Sequence, residues 1–209
     1  MPVICLEGPS AVGKSSTARW LVENHRAIHI PEVNFLFTRP GIPERFWYYE
    51  RQLERVQIAR AQNADRLVIL DGDPFQPVWY NRLYPAVDDL SFDEVLGFYR
   101  LHLERNTLCW PAKYVILNAN AEKLRQRKEG DEEHQRRNFE KHLALVDYLP
   151  QYFGKLQQIA PSLVAFQEAD TIQGTAGAVL VASERIEQRR DDLKIFDEMA
   201  AWVSPSAAV

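Results

Sequence analysis

Five short apolar runs punctuate the chain: Val3 to Leu6, Ala27 to Ile30, Leu67 to Leu70, Tyr114 to Leu117 and Leu163 to Phe166. Each is about four residues long and rich in strand-forming side chains, and none alternates apolar with polar. That is the pattern of strands covered by helices on both faces. Between them lie longer stretches of helical character: Lys14 to Asn24, Pro43 to Asp65, a broken region from Pro74 to Trp110, and Ala121 to Gln158. Strands alternating with helices predict an α/β fold, three layers deep, with a parallel five-stranded sheet between helices. Ser91 followed by Glu94 is a capping-box pattern that opens a helix running toward Trp110, with Pro111 placed to end it. Ile172 to Val203 reads as one or two helices, and the tail from Ser204 as frayed. Neither a repeat nor a linker-like stretch divides the chain, so a single domain over 1–209 is expected.

Composition narrows the function classes. The 209 residues are 46% hydrophobic and 26% charged, with a formal net charge of −4. This is the profile of a globular protein, and it argues against nucleic acid as the main partner. The first apolar run breaks at Glu7 and Gly8, unlike a signal peptide, and no stretch approaches a membrane span. A soluble, cytoplasmic protein is expected, with a homodimer left open. Cys5 and Cys109 are the only cysteines; they form neither a metal-binding pair nor a disulfide framework, and none of the histidines has ligand spacing.

The sharpest chemical signal is Gly8-Pro9-Ser10-Ala11-Val12-Gly13-Lys14-Ser15, which fits G-x-x-x-x-G-K-[ST] at every fixed position. Its glycines let successive backbone N–H groups turn inward onto phosphate oxygens, with the positive end of the next helix beneath them. Lys14 is expected to reach the β- and γ-phosphates and the Ser15 hydroxyl to ligate Mg²⁺. Ser16 is a second hydroxyl at the helix start. The motif lies between an apolar strand and an amphipathic helix, the context it requires. Gly8, Ser10, Ala11, Val12, Gly13, Lys14, Ser15 and Ser16 therefore form the expected ATP cradle.

From Val3 to about Asp170 the chain resembles the P-loop nucleoside and nucleotide kinases, most closely their deoxynucleoside and thymidylate kinase branch. The segment Asn118-Ala119-Asn120-Ala121 lacks the Lys and Asp of a guanine reader. His29-Ile30-Pro31-Glu32-Val33 ends the second strand, and the resemblance implies that Glu32 orients or deprotonates the acceptor hydroxyl. Leu70-Asp71-Gly72-Asp73-Pro74 ends the third. Asp71 is the better candidate for the Mg²⁺ shell and also faces the substrate; Asp73 is read as a base, a second metal contact or the cap of a helix starting at Pro74. The resemblance leads one to expect an arginine where Gly72 stands.

On the long helix from Phe46, the resemblance implies that Gln52 pairs with a nucleobase edge and that Trp47 and Tyr48 stack on it, while Leu53, Val56 and Ile58 read as core. Arg125-Gln126-Arg127-Lys128 and Arg136-Arg137-Asn138 flank a short acidic segment and resemble a helical lid over about 119–140, with Arg127 and Arg136 as first choices to close on the transferring phosphoryl group and Arg125 and Arg137 next. Phe166 to Asp170 corresponds to an adenine-wrapping loop.

The resulting expectation is a kinase that transfers the γ-phosphate of Mg-ATP to a small-molecule acceptor, with Lys14, Glu32, Arg127 and Arg136 at the reaction and Glu32, Gln52 and Asp71 facing the substrate. Two alternatives stand beside it. One is a kinase of another hydroxyl-bearing metabolite or antibiotic; the other is an ATP-dependent switch or binding module that has no acceptor.

Overall fold

The computed structural model describes residues 2–62, 65–85, 89–129, 139–186 and 191–204. The five apolar runs are strands β1 (Val3–Glu7), β2 (Ile28–Ile30), β3 (Val68–Asp71), β4 (Lys113–Asn118) and β5 (Val164–Glu168). They form one parallel sheet in the order β2-β3-β1-β4-β5. The helices are α1 (Lys14–His25), α2 (Val33–Leu36), α3 (Trp47–Gln62), α4 (Gln76–Leu83), α5 (Phe92–Glu104), α6 (Ala121–Glu129), α7 (Phe139–Leu143), α8 (Leu145–Ile159), α9 (Ile172–Glu184) and α10 (Asp192–Val203).

The absence of polar alternation in the strands has a direct structural counterpart. Successive side chains of a strand point to opposite faces. Here Val3, Cys5, Val68, Leu70, Tyr114 and Ile116 enter one core, with α3, α4, α5, α8 and α10. Ile4, Leu6, Ile69, Val115 and Leu117 enter the other, with α1, α6 and α9. Each fully buried aliphatic side chain contributes about 1.5–3 kcal/mol, so the central strands are anchored from both sides. The expected three-layer α/β fold is present.

β1 pairs with β3 on one side and β4 on the other. The loops leaving the carboxyl ends of these strands therefore converge, and such crevices are where open α/β sheets bind ligands. The β1 loop carries the phosphate motif, the β2 end carries Glu32, and the β3 end carries Asp71, Gly72 and Asp73.

One helix differs from its sequence-based expectation. The Ser91/Glu94 capping box forms as anticipated, but α5 stops at Glu104 and does not run on toward Trp110. Asn106 adopts a left-handed conformation with φ 54, which asparagine tolerates better than most residues. The N–H groups of Thr107 and Leu108 then fold back onto the His102 carbonyl. Trp110 leaves the helix to bury itself, its indole donating to the Asp192 carbonyl at the start of α10. Tertiary burial ends this helix well before Pro111 could. No helix among the described residues is long and apolar enough to cross a membrane.

Candidate active site

α1 begins at Lys14, immediately after Gly13 at φ 104. That conformation strains any residue with a Cβ, so glycine lets the loop turn directly into the helix. No side chain caps α1 and no acid lies in its first turn. Its leading N–H groups and positive dipole end are thus left to face the loop, a ready anion site. The Lys14 ammonium donates to the Gly8 carbonyl at 2.9 Å and lies 3.8 Å from Glu32 Oε1. The expected lysine and the expected acceptor-side carboxylate therefore meet across the crevice.

A second carboxylate braces the loop from below. Glu7 ends β1 and is 5% exposed. One of its oxygens accepts from the Gly8 N–H at 2.6 Å and the other from the Asp73 N–H at 2.7 Å. It ties the first residue of the phosphate loop to the end of β3. Burial raises its pKa to about 7, against the pull of Lys14 and the two amides. Sequence reasoning passed over Glu7; the signal was an acid directly ahead of the motif's first glycine.

Asp71 is 2% exposed. Its Oδ2 sits 3.3 Å from His29 Nε2, and its Oδ1 has no hydrogen-bond partner. Burial alone would raise its pKa, but His29, the Lys14 charge and the nearby Ser15 hydroxyl outweigh burial and keep it below the usual carboxylate value. An ionised, partly unsatisfied buried carboxylate beside Ser15 suits a Mg²⁺ shell, since that ion keeps several waters and takes only one or two protein ligands besides phosphate. Ser15 and Asp71 are the residues that would hold it. Asp73 behaves differently. It is 1% exposed and accepts from Phe75 N–H, Trp79 Nε1 and the Tyr114 hydroxyl. Both its oxygens are satisfied by protein donors. It organises the turn ahead of α4, which starts at Gln76 and not at Pro74.

A deeply buried cation was also missed in the sequence. Arg55 of α3 is 1% exposed. Its guanidinium donates to the carbonyls of Pro31, Asp71 and Gly72 and to Gln52 Oε1. One planar fork thereby joins the ends of β2 and β3, just where Glu32 and Asp71 depart. Gly72 has φ 88, and a Cβ there would meet Glu32 Cγ at 3.4 Å. The arginine expected at position 72 thus has no comfortable conformation, and a guanidinium reaches the same corner from α3.

Glu7, Lys14, Ser15, Glu32, Arg55, Gly72 and Asp73 line one cavity of about 970 Å³; Asp71, expected to face the substrate, is not among its lining residues. Its first half is the phosphate loop with Arg127, Ala169 and Asp170. Its second half contains Glu32, Tyr48, Gln52, Gln76, Trp79 and Tyr80. Gln52 is 2% exposed and lies in the wall. Trp47 is 9% exposed and packs in the core.

No protein-family model matches the chain, and no curated protein matches it in sequence. Solved structures do match. A deoxyadenosine kinase from M. mycoides with bound dATP aligns with a TM-score of 0.56 at 14% identity, over 87% of this chain and 99% of that one. The fold is that of the nucleoside and nucleotide kinases. The YorR protein from Bacillus subtilis, in complex with phosphorylated GDP, aligns with a TM-score of 0.53 at 20% identity, over 87% of this chain and 95% of that one. Thymidylate kinase from Candida albicans gives a TM-score of 0.53 at 17% identity, covering 88% and 91%.

Of the segment expected to form a lid, residues 119–129, 139 and 140 are described. Arg127, in the last turn of α6, has both sides of its guanidinium engaged: Nη1 donates to the Val12 carbonyl at 2.9 Å and Nη2 to the carbonyls of Ala169 and Asp170. It clamps the phosphate loop to the turn after β5, within the segment expected to wrap an adenine. Arg125 is half exposed and lies 3.6 Å from Glu140. Arg136 and Arg137 lie outside the described residues.

Proposed function

We propose that this chain is a P-loop phosphotransferase that moves the γ-phosphoryl group of Mg-ATP to a small acceptor, a nucleoside or nucleotide. One observation carries the proposal: the cavity that begins at the phosphate loop continues past Lys14 and Glu32 into a second, aromatic and amide-lined half. A triphosphate held by the loop would leave that half for another molecule, with its terminal phosphoryl group pointing toward Glu32. The fold shared with kinases of nucleosides and nucleotides supports the same reading. A switch without an acceptor would have no use for the second half.

Phosphoryl transfer depends chiefly on alignment and on compensation of spread negative charge. Lys14 supplies charge at the transferring group. Glu32 stands where it can accept the proton of an attacking hydroxyl or hold that hydroxyl in line. Mg²⁺, bound through Ser15 and Asp71, would neutralise phosphate charge. Glu7 and Arg55 hold the two loops in register. Arg127 secures the nucleotide side, and Arg136 remains assigned to lid closure on the resemblance alone. The reaction is placed in the cytoplasm.

The test is ADP release with Mg-ATP across nucleosides, nucleoside monophosphates and other hydroxylated metabolites. Stimulation by the nucleoside or nucleotide class, lost in Lys14→Ala, is the expected result. Glu32→Gln should lower turnover while leaving ATP affinity intact. Turnover indifferent to every acceptor would overturn the proposal in favour of a switch.

A further inference from the structure

Arg55, Gln52, Tyr48 and Gln76 are connected in a chain that has only one consistent direction. A guanidinium has donors and no acceptor, so the Gln52 atom facing Arg55 Nη1 must be its carbonyl oxygen, as found. The Gln52 amide nitrogen is then left to donate, and it serves the Tyr48 oxygen. With that oxygen accepting, the Tyr48 hydroxyl proton is directed onward, and it donates to Gln76 Oε1 at 3.1 Å. Arg55 is itself locked by the Pro31, Asp71 and Gly72 carbonyls. The direction is therefore set at Arg55, the buried end of the chain. At its other end Gln76, at the first turn of α4, lines the cavity as well. Its carbonyl is occupied, and its amide nitrogen, with two N–H donors, remains for a ligand.

We propose that this relay makes Gln76 a donor-only reader of the phosphate acceptor, so that the pocket selects heterocycles presenting a lone-pair acceptor, such as an unprotonated ring nitrogen, to α4. A side-chain amide normally reads either polarity by rotating its terminal group. This one cannot rotate without facing its own N–H to the Tyr48 hydroxyl proton. Gln52 acts at one remove, as the positioning residue that transmits the polarity. A ring N–H in the same place would set donor against donor in a buried site, and such a mismatch costs far more than the loss of one contact. Cytosine and adenine rings satisfy the requirement at their pairing edge; uracil, thymine, guanine and hypoxanthine carry a ring N–H there. The inference rests on the cavity's second half being the acceptor site of the proposed kinase.

The test measures binding of nucleosides by calorimetry, together with kcat/KM for transfer, on the wild-type chain and two variants. The wild type should favour cytosine and adenine compounds over their N–H counterparts by about tenfold or more. Y48F releases the Gln76 carbonyl and lets the amide turn. The preference should then fall to within about threefold, through a gain on the disfavoured class. Q76E replaces the donors with an acceptor and should reverse the preference.

A merely structural role for Tyr48 would weaken both classes together and leave their ratio unchanged; that outcome overturns the inference. So does a wild type that binds both classes equally, or that binds no nucleoside. Selective binding without transfer would instead leave the relay standing and remove the kinase reading.

Discussion

Glu7→Gln separates the electrostatic cost of the buried carboxylate from the hydrogen bonds it makes. In the folded chain burial holds the Glu7 pKa near about 7, against 4.5 for an unperturbed glutamate. Between those values the native state keeps a proton that the unfolded state has released. Stability from this group is thus fully present below about pH 4.5 and is lost as pH rises through about 7. At about 1.4 kcal/mol per pH unit, the loss between pH 5 and pH 8 is roughly 2 to 3 kcal/mol. Glutamine carries no proton to lose, so its curve lacks this component. It can still accept from one of Gly8 N–H and Asp73 N–H, but it turns an N–H toward the other, a pH-independent cost of about 1–3 kcal/mol.

The two contributions predict a crossing. At pH 5 the variant should be the less stable by about 1–2 kcal/mol, and at pH 8 the difference should vanish or reverse. Urea denaturation of both proteins without nucleotide, followed by tryptophan fluorescence at several pH values, reads this directly. Other carboxylates titrate alike in the two proteins and cancel in the difference. A difference between variant and wild type that stays flat from pH 5 to pH 8 would refute the argument and place an ionised Glu7 in the fold at all pH values.

Particular contacts lead to three more expected outcomes. Arg55→Met leaves the Pro31, Asp71 and Gly72 carbonyls without their donor. It should lower unfolding stability by about 3–5 kcal/mol, read as a fall in the denaturation midpoint. Asp71→Asn keeps the shape but removes the charge beside Ser15. The Mg²⁺ concentration for half-maximal turnover should rise about tenfold or more, and an unchanged metal requirement would detach Asp71 from the ion. Arg127→Ala unclamps Val12 from Ala169. It should raise KM for ATP about fivefold with a smaller change in kcat; a loss confined to kcat would instead assign Arg127 to the transferring group.

How much of this was legible in the sequence depended on whether the cause was local. The central strands β1, β3 and β4 were readable because both their faces are largely apolar and buried, while the edge strands β2 and β5 show the same short apolar runs with partly exposed residues. The phosphate loop was readable because its glycines and lysine fall at fixed spacing within one short segment, Gly8 to Lys14. Arg55 was not. In α3 the buried positions include Gln52, Arg55 and Ala59 alongside Tyr49, Leu53 and Val56, so two polar residues sit on the helix's buried face. Nothing within α3 explains them. The explanation lies in three carbonyls at the ends of β2 and β3, contributed by segments 16 or more residues away. Glu7 was missed for a similar reason, because one of its two donors comes from Asp73, 66 residues on.

The same distinction accounts for the place where the sequence departs from the pattern it resembles. At position 72 a side chain would strain a backbone at φ 88. A glycine there, judged from sequence alone, looks like a missing cation and hence a changed chemistry. In three dimensions the cation is supplied by Arg55, which donates to the Gly72 carbonyl and to that of Asp71. An arginine bound to four acceptors in a 1% exposed position cannot swing out to grip a phosphate without leaving those acceptors unsatisfied. Its charge therefore acts through the walls it holds together. Lys14, 3.8 Å from Glu32, is left to act on that side, and the polarity of Gln52 and Gln76 becomes a consequence of where Arg55 comes from.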